Sequence, residues 1–209
     1  MLETESLTIR FGGHVAVNDV SCRYAPGTLT AIVGPNGAGK TTYFNLISGQ
    51  LRASAGSVRL NGRDLTPLSA PARMHAGLGR AFQLTQLFPR LSARRDHAAA
   101  DLPHGDQRKL EIAMLIALEP QVFMFDEPTA GMSVDDVPVV LELIREIKND
   151  PSKTILLVEH KMDVVRELAD RIVVLHNGQL MADGDPATVI ASPIVQQAYL
   201  GMSPTEPKA

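Results

Sequence analysis

The octapeptide GPNGAGKT at residues 34–41 constrains the fold more than any other part of the sequence. It matches the pattern G-x-x-x-x-G-K-[ST], follows the apolar stretch LTAIV and precedes a predicted helix at 40–48. Glycines let the backbone wrap so that successive N–H groups point toward one anion, and the helix N-terminus adds partial positive charge. An ordinary glycine turn is the alternative, but it does not explain the strand, the lysine and the helix together. The segment therefore predicts a nucleoside triphosphate site.

The same pattern predicts a role for individual residues of this loop. Lys40 is expected to reach the β- and γ-phosphates, and the Thr41 hydroxyl is expected to bind Mg²⁺. The predicted nucleotide contacts are Gly34, Pro35, Asn36, Gly37, Ala38, Gly39, Lys40, Thr41 and Thr42.

Acidic residues follow two later apolar segments. In VFMFDEPTAG, Asp126 ends a predicted buried strand and can hold a metal ion, while Glu127 can orient or deprotonate an attacking water. In LLVEH, Glu159 and His160 follow the next such strand. Parallel strands direct their carboxyl ends to one ligand-binding edge. A lone histidine is most often structural, but this position favours a γ-phosphate contact for His160.

Hydrophobic periodicity predicts an α/β fold. The predicted strands lie at 7–11, 17–24, 28–33, 57–60, 122–125, 154–158 and 172–175. Helices are predicted at 40–48, at 107–118 with burial on nearly every face, from an N-cap at Ser133 to 148, and at 162–169. This order predicts a P-loop NTPase core, with a parallel helix-covered sheet preceded by an N-terminal antiparallel β-subdomain. We expect one domain at 1–201 and a disordered tail at 202–209.

Composition and charge exclude several classes of protein. The formal net charge of −3 gives no sign of a nucleic-acid-binding surface. The single cysteine, Cys22, excludes an internal disulfide and fits a reducing compartment. The acidic N-terminus MLETESLTIRF is unlike a signal peptide, and no apolar run approaches the ~20 residues of a membrane span. We therefore expect a cytosolic protein, or one attached to a membrane through a partner.

These motifs together resemble the ATP-binding cassette (ABC) ATPases over nearly the whole chain. Residues 34–41 resemble the Walker A loop, 122–127 the Walker B segment with its catalytic glutamate, 130–133 the D-loop, and His160 the switch histidine. Gln83 resembles the Q-loop glutamine, and LPHGDQ at 102–107 resembles the signature motif. Phe11 stands where the family places an aromatic ring against adenine; a core phenylalanine is the alternative.

Finer features, including GRAFQLTQLFPRLS, DEPTAGMS and VEHKMDVV, are similar to ATPase subunits of importers for branched-chain and hydrophobic amino acids. The resemblance implies two ATPase chains, identical or sister subunits, that close around two ATP molecules. It also implies membrane-embedded permease subunits, an extracytoplasmic solute-binding protein, and a location on the inner face of the plasma membrane. Gln83 would link the metal and the attacking water to the region that contacts the membrane subunit, and Gly105 of the signature would contact the partner's nucleotide.

The sequence departs from the family pattern at four points. Pro103 replaces the signature serine, whose lost hydroxyl is expected to weaken dimer closure by about 1 kcal/mol. Asp106 and Ser133 replace the usual glutamine and aspartate of the signature and D-loop. Only 18 residues, 84–101, separate Gln83 from the signature, where the family has a helical subdomain of several dozen residues. Most of that subdomain is therefore expected to be missing, with the junction near 93–94.

Two alternatives to a working importer ATPase stay open at this point. The first is a truncated cassette that binds nucleotide but is impaired in hydrolysis and is not coupled to transport. The second is a cassette with soluble work in DNA repair, chromosome structure or translation. Proteins of that second kind usually carry two cassettes, a coiled coil or zinc-binding cysteines, which a chain with one cassette and one cysteine does not match.

The short gap after Gln83 leads to a direct test. We hypothesise that residues have been excised near 93–94 or are missing from the sequence at this point, because both flanks still resemble family sequence. Mass spectrometry of the intact protein is expected to give more than 22.5 kDa. A measured mass of 22.5 kDa would contradict the possibility that residues are missing from the sequence and would confirm a short chain.

Overall fold

An antiparallel sheet forms the N-terminal part of the molecule. The computed structural model describes residues 1–81, 92–94, 97–98 and 104–200. The strands of this sheet are β1 (Leu2–Phe11), β2 (His14–Tyr24), β4 (Ala55–Leu60) and β5 (Arg63–Asp64), in the order β2-β1-β4-β5. β1 begins before the predicted 7–11 segment because Leu2 and Thr4 are also buried on its inner face.

A six-stranded sheet forms the centre of the molecule. Its strands are β3 (Leu29–Val33), β6 (Leu78–Arg80), β9 (Val122–Asp126), β10 (Thr154–Val158), β11 (Arg171–His176) and β12 (Gln179–Gly184). The order is β12-β11-β3-β10-β9-β6, and every neighbouring pair is parallel except β11 with β12. β3 and β10 are buried along their whole length, as expected for strands covered on both faces. The predicted fold class is confirmed.

Helices cover both faces of this central sheet. They are α1 (Lys40–Ser48), α2 (Ala70–His75), α3 (His104–Ala117), α4 (Val137–Lys148), α5 (Met162–Leu168), α6 (Pro186–Ala191) and α7 (Pro193–Leu200); β7 (Ser92–Arg94) and β8 (His97–Ala98) form a separate pair. Met124 faces the cluster that contains α1 and the antiparallel sheet. Phe123 and Phe125 face α3, α4 and α5 instead. Successive side chains of β9 point to opposite faces of the sheet, so this apolar strand contributes side chains to two separate cores.

The predicted burial of the helix after the signature is wrong. α3 begins at His104 rather than 107, and Ile112 and Leu115 are buried. Ile116, however, is 36 % exposed, and Leu118, just after the helix, is 57 % exposed. Only one face of α3 packs on the sheet and on α4, so the apolar residues on the other face meet solvent.

The start of α4 differs from the prediction, although the Ser133 Oγ accepts a hydrogen bond from the Asp136 N–H at 3.3 Å, as a capping residue would. Asp136, not Ser133, precedes the first helical residue. The Ser133 hydroxyl donates a hydrogen bond to Asp136 Oδ2 at 2.8 Å, which closes a turn before the helix.

The short elements α2, β6, β12, α6 and α7 are not among the elements predicted from the sequence. Residues 202–209 lie outside the described part of the chain, and the junction at 93–94 falls in β7, so the predicted domain limits stay predictions. No helix among the described residues is long and apolar enough to span a membrane.

Three buried hydroxyl groups join the antiparallel sheet to α1. The Tyr43 hydroxyl lies 2.7 Å from Thr4 Oγ1 and 3.0 Å from the Tyr24 hydroxyl. Thr4 Oγ1 also accepts a hydrogen bond from the backbone N–H of Cys22 at 3.0 Å. Burial raises the pKa of both tyrosines well above the ordinary value. The cluster is therefore stable only while both phenols stay neutral.

This cluster predicts a pH dependence of stability. Below pH 10, which is about the pKa of a tyrosine in the unfolded chain, both phenols are neutral in the folded and unfolded states. Above that pH the unfolded chain ionises first. Each tyrosine then lowers the free energy of unfolding by about 1.4 kcal/mol per pH unit. Tyr43→Phe is expected to lose about 1 kcal/mol at pH 7, because its partners lose a hydrogen bond. As the pH rises above about 10, the free energy of unfolding of Tyr43→Phe is expected to fall less than that of the wild type, because the variant has one phenol fewer. Urea unfolding between pH 7 and 11 measures the difference, and a difference that does not change with pH would contradict the prediction.

Candidate functional site

Three neighbouring strands end at the same level on one edge of the central sheet. Val158 of β10 is paired with Ile32 of β3 on one side and with Asp126 of β9 on the other. The loop at 34–41, Glu159 with His160, and Glu127 therefore follow three adjacent parallel strands. The structure brings together the residues that the sequence placed at strand ends.

The loop at 34–41 has a conformation that requires glycine. Gly34 has a φ of 153°, and a Cβ there would lie 2.2 Å from the carbonyl oxygen of Leu175. Gly39 has a φ of 94°, and a Cβ there would lie 2.6 Å from the carbonyl oxygen of Ala16. The turn is closed by a hydrogen bond from Ala38 N–H to the Pro35 carbonyl at 3.1 Å. The loop thus fits closely between β2 and β11 before α1 begins.

Lys40 is buried within the curve of this loop. It is 8 % exposed, and its Nζ donates hydrogen bonds to the carbonyl oxygens of Gly34 at 2.7 Å and Pro35 at 2.9 Å. Burial lowers its pKa, and the negative charges of Glu127 and Asp126 oppose that shift. The ammonium group is therefore held beside both acidic residues in a partly desolvated position, where an anion would interact strongly with it.

Arg80 contacts Asp126, a contact that sequence reasoning did not find. Arg80 Nη2 lies 2.8 Å from Asp126 Oδ2, with side chains 9 % and 20 % exposed. The other terminal nitrogen, Nη1, donates hydrogen bonds to three side chains at the end of α1 or just beyond it: Asn45 at 2.6 Å, Ser48 at 3.0 Å and Gln50 at 2.7 Å. The guanidinium carbon also lies 5.0 Å from the centre of the Phe44 ring. One buried cation thus connects β6, the end of β9 and α1.

Glu127 and His160 lie next to each other on the same edge. His160 Nδ1 is 3.3 Å from Glu127 Oε1, and the two side chains are 51 % and 38 % exposed. Glu127 has a φ of 47°, in the left-handed region, and its N–H donates to the Val158 carbonyl at 2.9 Å. The side chains are therefore close enough to act on one small group and open enough for a ligand to reach them.

Comparison with known proteins identifies the family. A model described as ABC transporter matches residues 17–102. The chain is also 33 % identical, over an alignment of 249 positions, to the high-affinity branched-chain amino acid transport ATP-binding protein LivG of Escherichia coli, with 96 % of this chain and 98 % of that protein covered. The chain belongs to the ABC transporter ATPase family. The LivG alignment is longer than the 209 residues of this chain, so it includes positions that are absent here.

Other members of the ABC family show the same similarity. The lipopolysaccharide export system ATP-binding protein LptB of Acidithiobacillus ferridurans is 30 % identical, with 96 % of this chain and 97 % of that protein covered. A nucleotide-free ATP-binding cassette superposes with a TM-score of 0.87 at 25 % identity, covering 97 % of this chain and 99 % of that one. The ADP conformation of the ATP-binding cassette MJ1267 gives a TM-score of 0.85 at 26 % identity, with the same coverage. This ABC protein therefore binds ATP and is an ATPase.

The remaining predicted site residues differ in what the structure describes. Gln83 and the first two signature residues, 102–103, lie outside the described residues. Gly105 lies in the first turn of α3. Phe11 ends β1 and is 50 % exposed, so the alternative of a core phenylalanine is wrong. Thr41 is exposed at the start of α1.

The donor groups at this edge fit Mg²⁺. Among residues 1–81, 92–94, 97–98 and 104–200, no three His, Cys, Asp or Glu side chains form a group that could hold a metal by themselves. Mg²⁺ commonly takes one or two carboxylates and completes its shell with phosphate oxygens and water. Asp126 and the Thr41 hydroxyl are suited to that sparse donor set.

The pairing of Arg80 with Asp126 predicts a strong energetic coupling. Arg80→Met removes the guanidinium that pairs with the Asp126 carboxylate and is expected to lower the free energy of unfolding by about 2–4 kcal/mol. Adding Asp126→Asn removes the second charge, so the double variant is expected to lose less than the sum of the single variants. Urea unfolding of the nucleotide-free protein completes the cycle. Strictly additive losses would contradict the coupling.

Proposed function

We propose that this ABC ATPase powers the import of branched-chain or other hydrophobic amino acids. The observation that carries the proposal is the similarity to LivG over nearly the whole of both chains. The branched-chain amino acid transport protein BraF of Pseudomonas aeruginosa, 31 % identical with 96 % of this chain covered, supports the same assignment. The comparisons give no support to the alternative of a cassette impaired in hydrolysis.

The proposed chemistry divides between the three strand ends. The backbone N–H groups that residues 34–42 carry, with Pro35 contributing none, and the Lys40 ammonium bind the triphosphate, and Phe11 stacks on adenine. Thr41, Asp126 and Gln83 hold Mg²⁺, which neutralises charge on the phosphate oxygens. Glu127 orients or deprotonates the attacking water, and His160 contacts the γ-phosphate. The 3.3 Å separation between Glu127 and His160 supports this pairing, because both must reach the same phosphoryl group.

The proposed working assembly contains more than this chain. A second ATPase subunit, identical or a sister protein, supplies its signature motif to the nucleotide bound here, and Gly105 of this chain approaches the nucleotide of that partner. Permease subunits hold the pair on the inner face of the plasma membrane, and an extracytoplasmic solute-binding protein delivers the solute. We propose no nucleic-acid partner.

We also propose a single cassette domain at 1–201 in which most of the helical subdomain is missing near 93–94. The difference between the alignment length and the chain length supports an internal loss. The tail at 202–209 is proposed to be disordered.

The decisive experiment measures ATP hydrolysis by the full chain assembled with its permease subunits and binding protein in lipid nanodiscs. Leucine, isoleucine and valine are expected to stimulate hydrolysis more than urea or charged amino acids. Glu127→Gln is expected to keep ATP binding but to lower kcat by about 10²–10⁴-fold, as for loss of a general base. Lys40→Ala is the matched control, since it is expected to lose ATP binding itself.

Two results would contradict the proposal. Wild-type hydrolysis no faster than that of Glu127→Gln, with normal ATP binding, would favour the impaired cassette. Hydrolysis that responds to none of the three branched-chain amino acids would remove the proposed substrate class.

A further inference from the structure

A buried carboxylate connects the two loops that carry Glu127 and His160. Glu159 directly follows the buried apolar strand β10, and its side chain is only 1 % exposed although it carries a carboxylate. Its Oε1 accepts a hydrogen bond from the Thr129 hydroxyl at 2.6 Å. Its Oε2 accepts from the backbone N–H of His160 at 2.8 Å and of Lys161 at 3.4 Å. Both carboxylate oxygens are therefore used, one toward each loop.

Burying a carboxylate at this position is unfavourable unless specific contacts compensate for the lost hydration. The three hydrogen bonds supply that compensation, and charge-assisted bonds to a carboxylate are stronger than neutral ones. An apolar residue would complete the core here without any such requirement. The Glu159 carboxylate therefore serves to fix the positions of its hydrogen-bond partners rather than to add apolar packing.

The position of these contacts matters because Glu127 has an unfavourable backbone conformation. A φ of 47° in a residue other than glycine is strained and persists when the surrounding structure fixes it. Thr129 lies two residues after Glu127, and His160 directly follows Glu159. A second contact, from Lys161 Nζ to the Thr129 carbonyl at 3.4 Å, joins the same two loops. The loops are thus tied together within two residues of each proposed catalytic side chain.

We propose that Glu159 and Thr129 are positioning residues that hold His160 against Glu127 for the hydrolytic step. This inference rests on the proposed roles of Glu127 and His160. The hydrogen bonds of Glu159 run to Thr129, His160 and Lys161, so their loss is expected to affect the alignment of the reacting groups more than the binding of the nucleotide by the loop at 34–42.

The test uses a matched pair of substitutions at Thr129 in the full chain assembled with its membrane partners. Thr129→Val keeps the size of the side chain but lacks the hydroxyl donor, and it is expected to lower kcat roughly 10-fold through misalignment. Thr129→Ser keeps the donor and is expected to stay within about two-fold of wild type by the same reasoning. The Kd for ADP, which lacks the γ-phosphate that His160 is proposed to contact, is expected to change by less than about two-fold in both variants, because the phosphate loop is intact.

A second pair tests the carboxylate itself. Glu159→Ala removes all three hydrogen bonds and is expected to lower kcat more than Thr129→Val does. Glu159→Gln keeps a carbonyl oxygen that can accept from the His160 N–H and an amide that can donate to the Thr129 hydroxyl, so it is expected to be intermediate. Should Glu159→Ala fail to fold, the Thr129 pair still decides the question.

Equal kcat values for Thr129→Val and Thr129→Ser would overturn the inference. So would a loss of kcat accompanied by an equal loss of ADP affinity, because that pattern indicates general damage to the site. Absence of hydrolysis in the wild type is a different result: the proposed function then fails, and the inference falls with it.

Discussion

The parallel register of β3, β10 and β9 is the constraint on which the rest of the site depends. Ile32, Val158 and Asp126 lie side by side across the three strands, so the loops that follow start at one level. Parallel pairing fixes this level through evenly spaced backbone hydrogen bonds, and the apolar side chains on both faces prevent slippage. A shift of one residue in any strand would reverse its two faces and move its loop away from the others.

Buried charges at this edge are all held by several partners. Lys40 donates hydrogen bonds to two carbonyl oxygens of the loop. Arg80 pairs with Asp126 and donates to three side chains at the end of α1 or just beyond it. Glu159 accepts from one hydroxyl and two backbone N–H groups. Each of these contacts offsets desolvation that would otherwise disfavour the fold. The apolar strands bring the charged groups to the edge, and the polar contacts then fix where each group lies. Stability and site geometry therefore depend on the same hydrogen bonds.

The sequence predicts the main part of this arrangement and misses its supporting contacts. The strand, glycine loop and lysine around residue 40 form a local pattern, as do the carboxylates at the ends of apolar strands. The Arg80–Asp126 and Thr129–Glu159 contacts join residues 46 and 30 positions apart, and no local pattern marks them. The error on α3 has a related cause: its apolar composition indicates burial, but the number of elements packed around a helix is set by the tertiary fold. Ser133 is a residue type that often caps helices, but its hydroxyl bonds to Asp136 in a turn that comes before α4.

Asp126 and Glu127 are adjacent in sequence but are anchored to different parts of the molecule. Asp126 ends β9 and is fixed through Arg80 to α1, the helix that begins at the phosphate loop. Glu127 leaves the strand in a left-handed conformation and is held by the Val158 carbonyl, beside the loop that Glu159 ties to Thr129. The proposed metal-binding carboxylate is thus coupled to the element that is proposed to bind the phosphates. The proposed water-activating carboxylate is coupled instead to the loop of His160, although a single peptide bond joins the two residues.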